Sequence, residues 1–192
     1  MNYLAHLHLA KVSGTSYCGN LLGDFASELD RSKLPKEVVL GIKMHQHIDK
    51  TIDSHTGSFS FRENQTIGRR RFVGIVLDIL LDYWLVNKWQ QFNSTPLDAF
   101  YDDFLPDLHR YHDLCPPRLQ GLITSLDHKR WLADLGQLSG VEKALQSIMR
   151  RWRYGHHLQP FYEDLPLLLT MAETTFDQVY PDLMVAAKAP QE

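Results

Sequence analysis

The chain has 192 residues, of which 44% are hydrophobic and 22% are charged; this is the composition of a globular protein and not of a disordered chain. Its formal net charge of −3 excludes a generally basic nucleic-acid binder. No apolar run reaches the roughly 18 residues that span a bilayer, and the N-terminus lacks the basic and apolar regions of a secretory signal. The two cysteines, Cys18 and Cys115, form neither a disulfide framework nor a zinc motif, so we expect buried thiols in a cytoplasmic protein.

Turn-forming residues divide the chain into helical segments, and no segment alternates with a period of two over a convincing length. We predict helices near residues 16–29, 36–55, 59–92, 97–112, 117–134, 140–154 and 161–188. The third of these is expected to bend or split around Gly68 or Gly74, and the last is expected to begin after Pro166. The pattern predicts an all-α, single-domain helical bundle over residues 1–192.

Two helix starts carry a capping signature. Thr95 and Ser139 each precede an acidic residue by three positions, so both hydroxyls are predicted N-caps. Pro96 then falls at the first helical position, where a missing N–H costs nothing.

The segment around residue 45 carries polar groups at helical spacing. His45, Asp49 and Asp53 lie four residues apart and stack on one helix face, bordered by Ile48 and Ile52. A histidine and a carboxylate one turn apart are suitable ligands for a divalent cation. A solvated edge, or a simple His–Asp hydrogen bond, explains the same pattern.

A second segment, residues 74–86, is apolar on all sides and predicts a buried helix that carries Asp78 and Asp82. An unpaired buried charge costs several kcal/mol, so both carboxylates need compensation. Arginine is one source, since Arg71 lies seven residues before Asp78 on nearly the same face. A metal ion, or backbone and side-chain donors, are the others.

Two further apolar segments contain ionisable groups: Asp24 in one, and His6 and His8 in the other. Taken singly, each has a structural explanation, such as helix packing, capping or a satisfied core histidine. Taken together, buried acids and histidines from several helices favour one shared metal site. A histidine with several carboxylates favours Mn²⁺ or Mg²⁺ over structural Zn²⁺.

The order and spacing of these groups resemble the acyl carrier protein phosphodiesterase family over about residues 1–90. The resemblance is carried by MNYLAHLHLA at the start, GNLLGDF at 19–25, His45-x3-Asp49-x3-Asp53, Arg70-Arg71 and Asp78-x3-Asp82. The C-terminal half matches in length and helical character. Because the family is similar to HD-domain phosphohydrolases, the resemblance implies an HD-domain-like helical fold. It also implies Mn²⁺-dependent hydrolysis of the 4′-phosphopantetheine group from holo-acyl carrier protein.

The same resemblance assigns roles to residues. Asp24, His45 and Asp78 are the predicted metal ligands, with Mn²⁺ as cofactor and Mg²⁺ as an alternative. The predicted catalytic residues are His6, Asp49 and Asp82. His6 is expected to act as a general acid or as a further metal ligand. Asp49 and Asp82 are expected to be metal ligands themselves or to orient the ligands. The residues predicted to clamp the phosphate are Arg70 and Arg71.

The chain departs from the family pattern at two positions. Gln46 stands where the resemblance leads us to expect a basic residue, and Tyr83 where it leads us to expect histidine. If either position contacts phosphate or metal, activity is altered or lost, although His47 is a partial substitute for the missing base.

Acyl carrier proteins are small and acidic, so a mildly acidic protein needs a local basic patch to attract one. Arg150, Arg151 and Arg153 lie in the densest basic stretch and are the predicted partner-binding residues. An ordinary solvated helix face explains this stretch as well. Two other functions stay open: a phosphohydrolase acting on a nucleotide or other small phosphoester, and a non-catalytic protein that binds a carrier protein.

Overall fold

The computed structural model describes residues 3–189, and over that range the chain forms helices and no strands. The α-helices are α1 (Tyr3–Ser13), α2 (Tyr17–Leu22), α3 (Lys36–Ser54), α4 (Thr56–Glu63), α5 (Val73–Asn87), α6 (Trp89–Phe92), α7 (Leu97–Arg110), α8 (Pro117–Lys129), α9 (Leu138–Arg151), α10 (Gln159–Glu163) and α11 (Leu165–Lys188). Short 3₁₀ turns cover Gly23–Glu28, Arg31–Lys33, Arg70–Phe72, His112–Leu114, Trp131–Gly136 and Gly155–Leu158. The all-α prediction is confirmed, and the HD-domain-like fold stays a prediction.

Helix α1 is missing from the predicted set because its sequence gives no amphipathic signal. Residues 4–10 are all buried, including His6 and His8. Since α1 packs against α2, α3, α5 and α11, its faces all meet protein, and its polar residues do not mark a solvent-exposed face.

Helices α2 and α3 cross at a pair of glycines. A Cβ on Gly19 would lie 2.4 Å from the carbonyl oxygen of Val38, and one on Gly41 would lie 2.6 Å from that of Ser16. The two backbones therefore touch, and this fixes the segment after α2 against the middle of α3.

The predicted helix 59–92 splits between α4 and α5, at Gly68 and not at Gly74. Gly68 has a φ of +64°, which favours glycine, and a Cβ there would lie 2.6 Å from the ring of Phe161. The last helix begins at Leu165, so Pro166 lies in its first turn instead of before it.

Both predicted side-chain caps are wrong, although the helix starts are close. The N-cap of α7 is Pro96 without a side-chain bond, and the hydroxyl of Thr95 instead accepts a hydrogen bond from Lys11 at 3.2 Å. Helix α9 begins at Leu138, so Ser139 lies inside the helix and cannot cap it.

The buried hydrophobic side chains form one continuous core that all the larger helices share. Within residues 3–189, no helix combines the length and apolar character needed to cross a membrane. On one side of this core, α5, α8, α9 and the 131–136 turn surround an open cleft of about 740 Å³.

Candidate active site

Three side chains from two helices meet at the centre of the candidate site. Asp49 lies one turn after His45 on α3, and its Oδ2 is 2.9 Å from His45 Nε2. Its other oxygen is 3.3 Å from Nε2 of His6 on α1. The two imidazole rings stack with centroids 3.9 Å apart. One donor atom from each residue lies within 4.8 Å of the others, which is a spacing that one metal ion can bridge.

Asp24 joins this cluster from the turn that follows α2. Its Oδ1 lies 3.6 Å from His45 Nε2. The preceding residue, Gly23, lets the backbone approach the imidazole, because a Cβ there would lie 2.1 Å from Cγ of His45. The predicted proximity of His45 to Asp49 is therefore found, with His6 and Asp24 beside them.

The protonation of the cluster is set by burial and by the short contacts. Burial and, next, the neighbouring His45 lower the pKa of His6 to about 3, so His6 is neutral near pH 7. Burial acts to raise the pKa of Asp49, but hydrogen bonds with His45 and His6 outweigh it and hold that pKa well below its usual range. An ionised carboxylate beside two buried imidazoles is a donor set suited to a cation.

Asp82 is fully buried and anchors α1. Its two carboxylate oxygens accept hydrogen bonds from the backbone N–H groups of Leu4 at 3.1 Å and Ala5 at 3.0 Å. These are N–H groups that the first turn of a helix cannot pair internally. Burial raises the pKa of Asp82 to about 7 in spite of these bonds. Asp82 thus places α1, and with it His6, and its compensation comes from backbone donors rather than from Arg71.

Asp78 lies one turn before Asp82 and lines the cleft together with Asp24. Burial raises the pKa of Asp78, and the negative charge of Asp49 adds to that rise. The two carboxylates are therefore near enough to interact, and the cleft leads from solvent to the acidic cluster.

The rest of the cleft wall carries five cationic side chains among apolar and small polar residues, with one further carboxylate, Asp134. Its five cationic side chains are all exposed, and none of them forms an ion pair with a carboxylate in the described part of the chain. These side chains, which we call the cleft cations, are Arg118, Lys129, Lys143, Arg150 and Arg151. The predicted partner-binding residues Arg150 and Arg151 are thus in the wall. Arg153 lies outside the lining, 4.4 Å over the ring of Tyr154.

The predicted phosphate clamp lies elsewhere. Arg70 forms an ion pair with Glu63, and Arg71 lies 4.7 Å over the ring of Phe72. Neither residue is among those that line the cleft.

Other polar residues singled out in the sequence also bind locally. Asp53 pairs with Arg62 at 3.0 Å, so it does not extend the stripe of His45 and Asp49. His8 Nδ1 lies 2.7 Å from the hydroxyl of Tyr180 in the core, as expected of a satisfied structural histidine.

The positions where the chain departs from the family pattern lie off the cluster. Gln46 is exposed, and the ring of Tyr83 packs edge-on against Trp84. Neither side chain lines the cleft, and neither belongs to the group around Asp49. Nε2 of His47 is buried without a hydrogen-bond partner, also outside that group.

Sequence reasoning missed the far wall of the cleft, where Arg118, Lys143 and Trp131 lie. These residues belong to helices and a turn with no motif, so a single sequence gives no signal for them. Tyr3 also lines the cleft, and its place in the opening decapeptide was the one available indication.

Comparison with known proteins places the chain in a family. The family model described as acyl carrier protein phosphodiesterase matches residues 1–183. Proteins named acyl carrier protein phosphodiesterase from Serratia proteamaculans and Pectobacterium atrosepticum are 33% and 31% identical to it, each over the full length of both chains. One of the same name from Shigella boydii is 32% identical over 97% of both chains. No solved structure gives a significant match. The chain belongs to the acyl carrier protein phosphodiesterase family.

Proposed function

We propose that this chain hydrolyses the phosphodiester that joins 4′-phosphopantetheine to a serine of holo-acyl carrier protein, with Mn²⁺, or alternatively Mg²⁺, as cofactor. In this reaction the oxygen of water bonds to phosphorus, the bond from phosphorus to the serine oxygen breaks, and that oxygen gains a proton. The products are 4′-phosphopantetheine and the apo carrier protein. Family membership supports the substrate class.

The observation that carries the proposal is the junction of the acidic cluster with a basic cleft. Asp24 lies against His45 on one side and lines the cleft on the other. A phosphodiester anion bound in the cleft would therefore meet positive charge along the wall and the metal-binding donors at the inner end. The cleft volume of about 740 Å³ is in the range of small-molecule sites, roughly 300–1,000 Å³.

The donor set fits a hard divalent cation. The Nδ1 atoms of both His6 and His45 are buried without a hydrogen-bond partner among the described residues. The pKa of Asp78 is raised by burial and by the charge of Asp49, and a bound cation would offset the cost of these negative charges. The residues that would hold the ion are His6, His45, Asp49 and Asp24, with Asp78 alongside. A bound divalent cation supplies an activated water and neutralises charge on the phosphoryl oxygens.

The other residues hold this set in place. Asp82 fixes the first turn of α1 and thereby the ring of His6. With its pKa lowered to about 3, His6 suits the role of further ligand better than that of general acid.

The reaction is tested by incubating holo-acyl carrier protein with the purified chain, with and without Mn²⁺, and measuring intact mass. We expect loss of the phosphopantetheine mass only when metal is present. Free nucleotides assayed in parallel separate the rival phosphohydrolase, since turnover of a nucleotide without release of phosphopantetheine would overturn the proposal. Stable binding of the carrier protein with no turnover and no bound metal would favour the non-catalytic function.

The carrier protein is proposed to dock where the cleft opens at the end of α9. Arg150 and Arg151 line the cleft there, and Arg153 follows beside Tyr154, which is 38% exposed. Replacing the three arginines by glutamate should raise KM for holo-acyl carrier protein steeply and leave metal content unchanged. An unchanged KM at low salt would contradict this docking site.

A further inference from the structure

Arg118 is the cleft cation whose contacts reach the acidic end of the cleft. Its guanidinium lies 5.6 Å over the ring of Phe25, the residue next to Asp24. Its charge also reaches Tyr3, whose side chain lines the same cleft, and acts to lower the pKa of the Tyr3 hydroxyl. The same Tyr3 is affected by the charge of Asp24: burial raises the pKa of its hydroxyl, and Asp24 raises it further. Arg118, Tyr3 and Asp24 therefore form one neighbourhood.

We infer that Arg118 binds the non-bridging oxygens of the scissile phosphodiester and holds it against the cluster of His6, His45, Asp24 and Asp49. This assignment rests on the proposed function and adds a phosphate-binding residue from the half of the chain that carries no family motif.

The chemistry of the side chain suits the role. A guanidinium presents parallel N–H donors that match two oxygens of a phosphate, and stacking on an aromatic face keeps it oriented. Within the described residues, Arg118 has no carboxylate in ion-pair contact, so its charge is not already neutralised. Arg70, by comparison, is already paired with Glu63. An anionic substrate in the cleft would supply a partner for this charge.

The apolar surface next to Arg118 can contact the part of phosphopantetheine that lies beyond the phosphate. Phe25 and Tyr3 flank Arg118, and Trp131 packs edge-on against Tyr3 with ring centroids 6.4 Å apart. This aromatic surface offers contact for the gem-dimethyl group of the pantoyl unit, which lies one methylene beyond the phosphate ester oxygen in phosphopantetheine.

The test compares Arg118→Ala and Arg118→Lys with Arg110→Ala, an exposed arginine outside the cleft lining. Two quantities are measured on each protein: kcat/KM for holo-acyl carrier protein with Mn²⁺, and the Kd of 4′-phosphopantetheine by calorimetry without metal. Thermal unfolding checks that each variant is folded.

For Arg118→Ala we expect kcat/KM to fall about 100-fold, the typical loss when one donor to a reacting oxyanion is removed. The Kd of 4′-phosphopantetheine should rise about tenfold or more, because a charge-assisted hydrogen bond is lost. Arg118→Lys keeps the charge but not the paired donors, so it should fall between Arg118→Ala and the unsubstituted protein. Arg110→Ala should match the unsubstituted protein in both measurements.

The outcomes distinguish this inference from the proposed function. If the unsubstituted protein releases phosphopantetheine and Arg118→Ala equals Arg110→Ala in both measurements, Arg118 does not bind the phosphate. If the unsubstituted protein releases none, the proposed reaction fails, and the calorimetric comparison still decides whether Arg118 binds this ligand.

Discussion

A methyl group at Gly23 should disable the site, because Gly23 is where the backbone touches the ring of His45. The added Cβ in Gly23→Ala would lie 2.1 Å from Cγ and 2.2 Å from Cδ2 of His45, whereas ordinary contact begins at 3.4 Å. The ring must therefore move by about 1.3 Å, which is enough to break its 2.9 Å contact with Asp49. Overpacking of this kind costs about 1–3 kcal/mol of folding stability.

A displaced donor should weaken metal binding by about 10- to 100-fold, in line with the loss of groups that orient ligands. Mn²⁺ affinity by calorimetry and Tm by circular dichroism measure the two effects, with Tm falling about 2–4 °C for each kcal/mol. Gly74→Ala is the matched control, since its Cβ meets no atom within 4 Å, and it should stabilise α5 by about 0.5–1 kcal/mol. If Gly23→Ala kept both the affinity and the Tm of the unsubstituted protein, the close packing of His45 on Gly23 would be refuted.

Three further predictions follow from burial and contact. The raised pKa of Asp82, about 7, means that the folded state retains a proton which the unfolded state has lost, so stability falls as the pH rises from about 4 to about 7. Between about pH 5 and about pH 8, the unfolding free energy of the unsubstituted protein should fall by roughly 3 kcal/mol more than that of Asp82→Asn, as measured by denaturant titration. An equal fall in the two proteins would contradict this assignment. Asp24→Ala and Asp78→Ala should each abolish release of phosphopantetheine while the helical circular dichroism signal stays; activity in either variant would contradict its role as a ligand. Cys18 and Cys115 are buried with sulfurs 3.4 Å apart, so a thiol reagent should label them only as the protein unfolds, and fast labelling of the folded protein would show the core to be open there.

Helical periodicity in the sequence identified most of the helices because most of them have one solvent-exposed face. Helix α3, predicted at 36–55, runs from Lys36 to Ser54. Helix α1 gave no such signal, because it is surrounded by protein and its polar partner, Asp82, lies 77 residues and more along the chain. The cap predictions failed because the helices start elsewhere: Pro96 takes the cap position of α7 in place of Thr95, and α9 starts one residue before Ser139.

The residues at the inner end of the candidate site could be predicted from the sequence, whereas those of its outer wall could not. Burial makes an acid or a histidine conspicuous among apolar neighbours, and this drew attention to Asp24, His45 and Asp78. An exposed arginine such as Arg118 is common on any helix. Only the fold, which places α8 across the cleft from α5 and α9, brings Arg118 into the cleft lining.

The cleft cations, which form no ion pair within residues 3–189, make the distribution of charge over the molecule uneven. With a net charge of −3, the chain as a whole repels an acidic protein at long range. The cleft cations oppose this repulsion locally, so they favour encounters in which the acidic partner faces the cleft. The rate of association should fall as ionic strength rises, because salt screens such long-range guidance, whereas turnover of a complex already formed should change little.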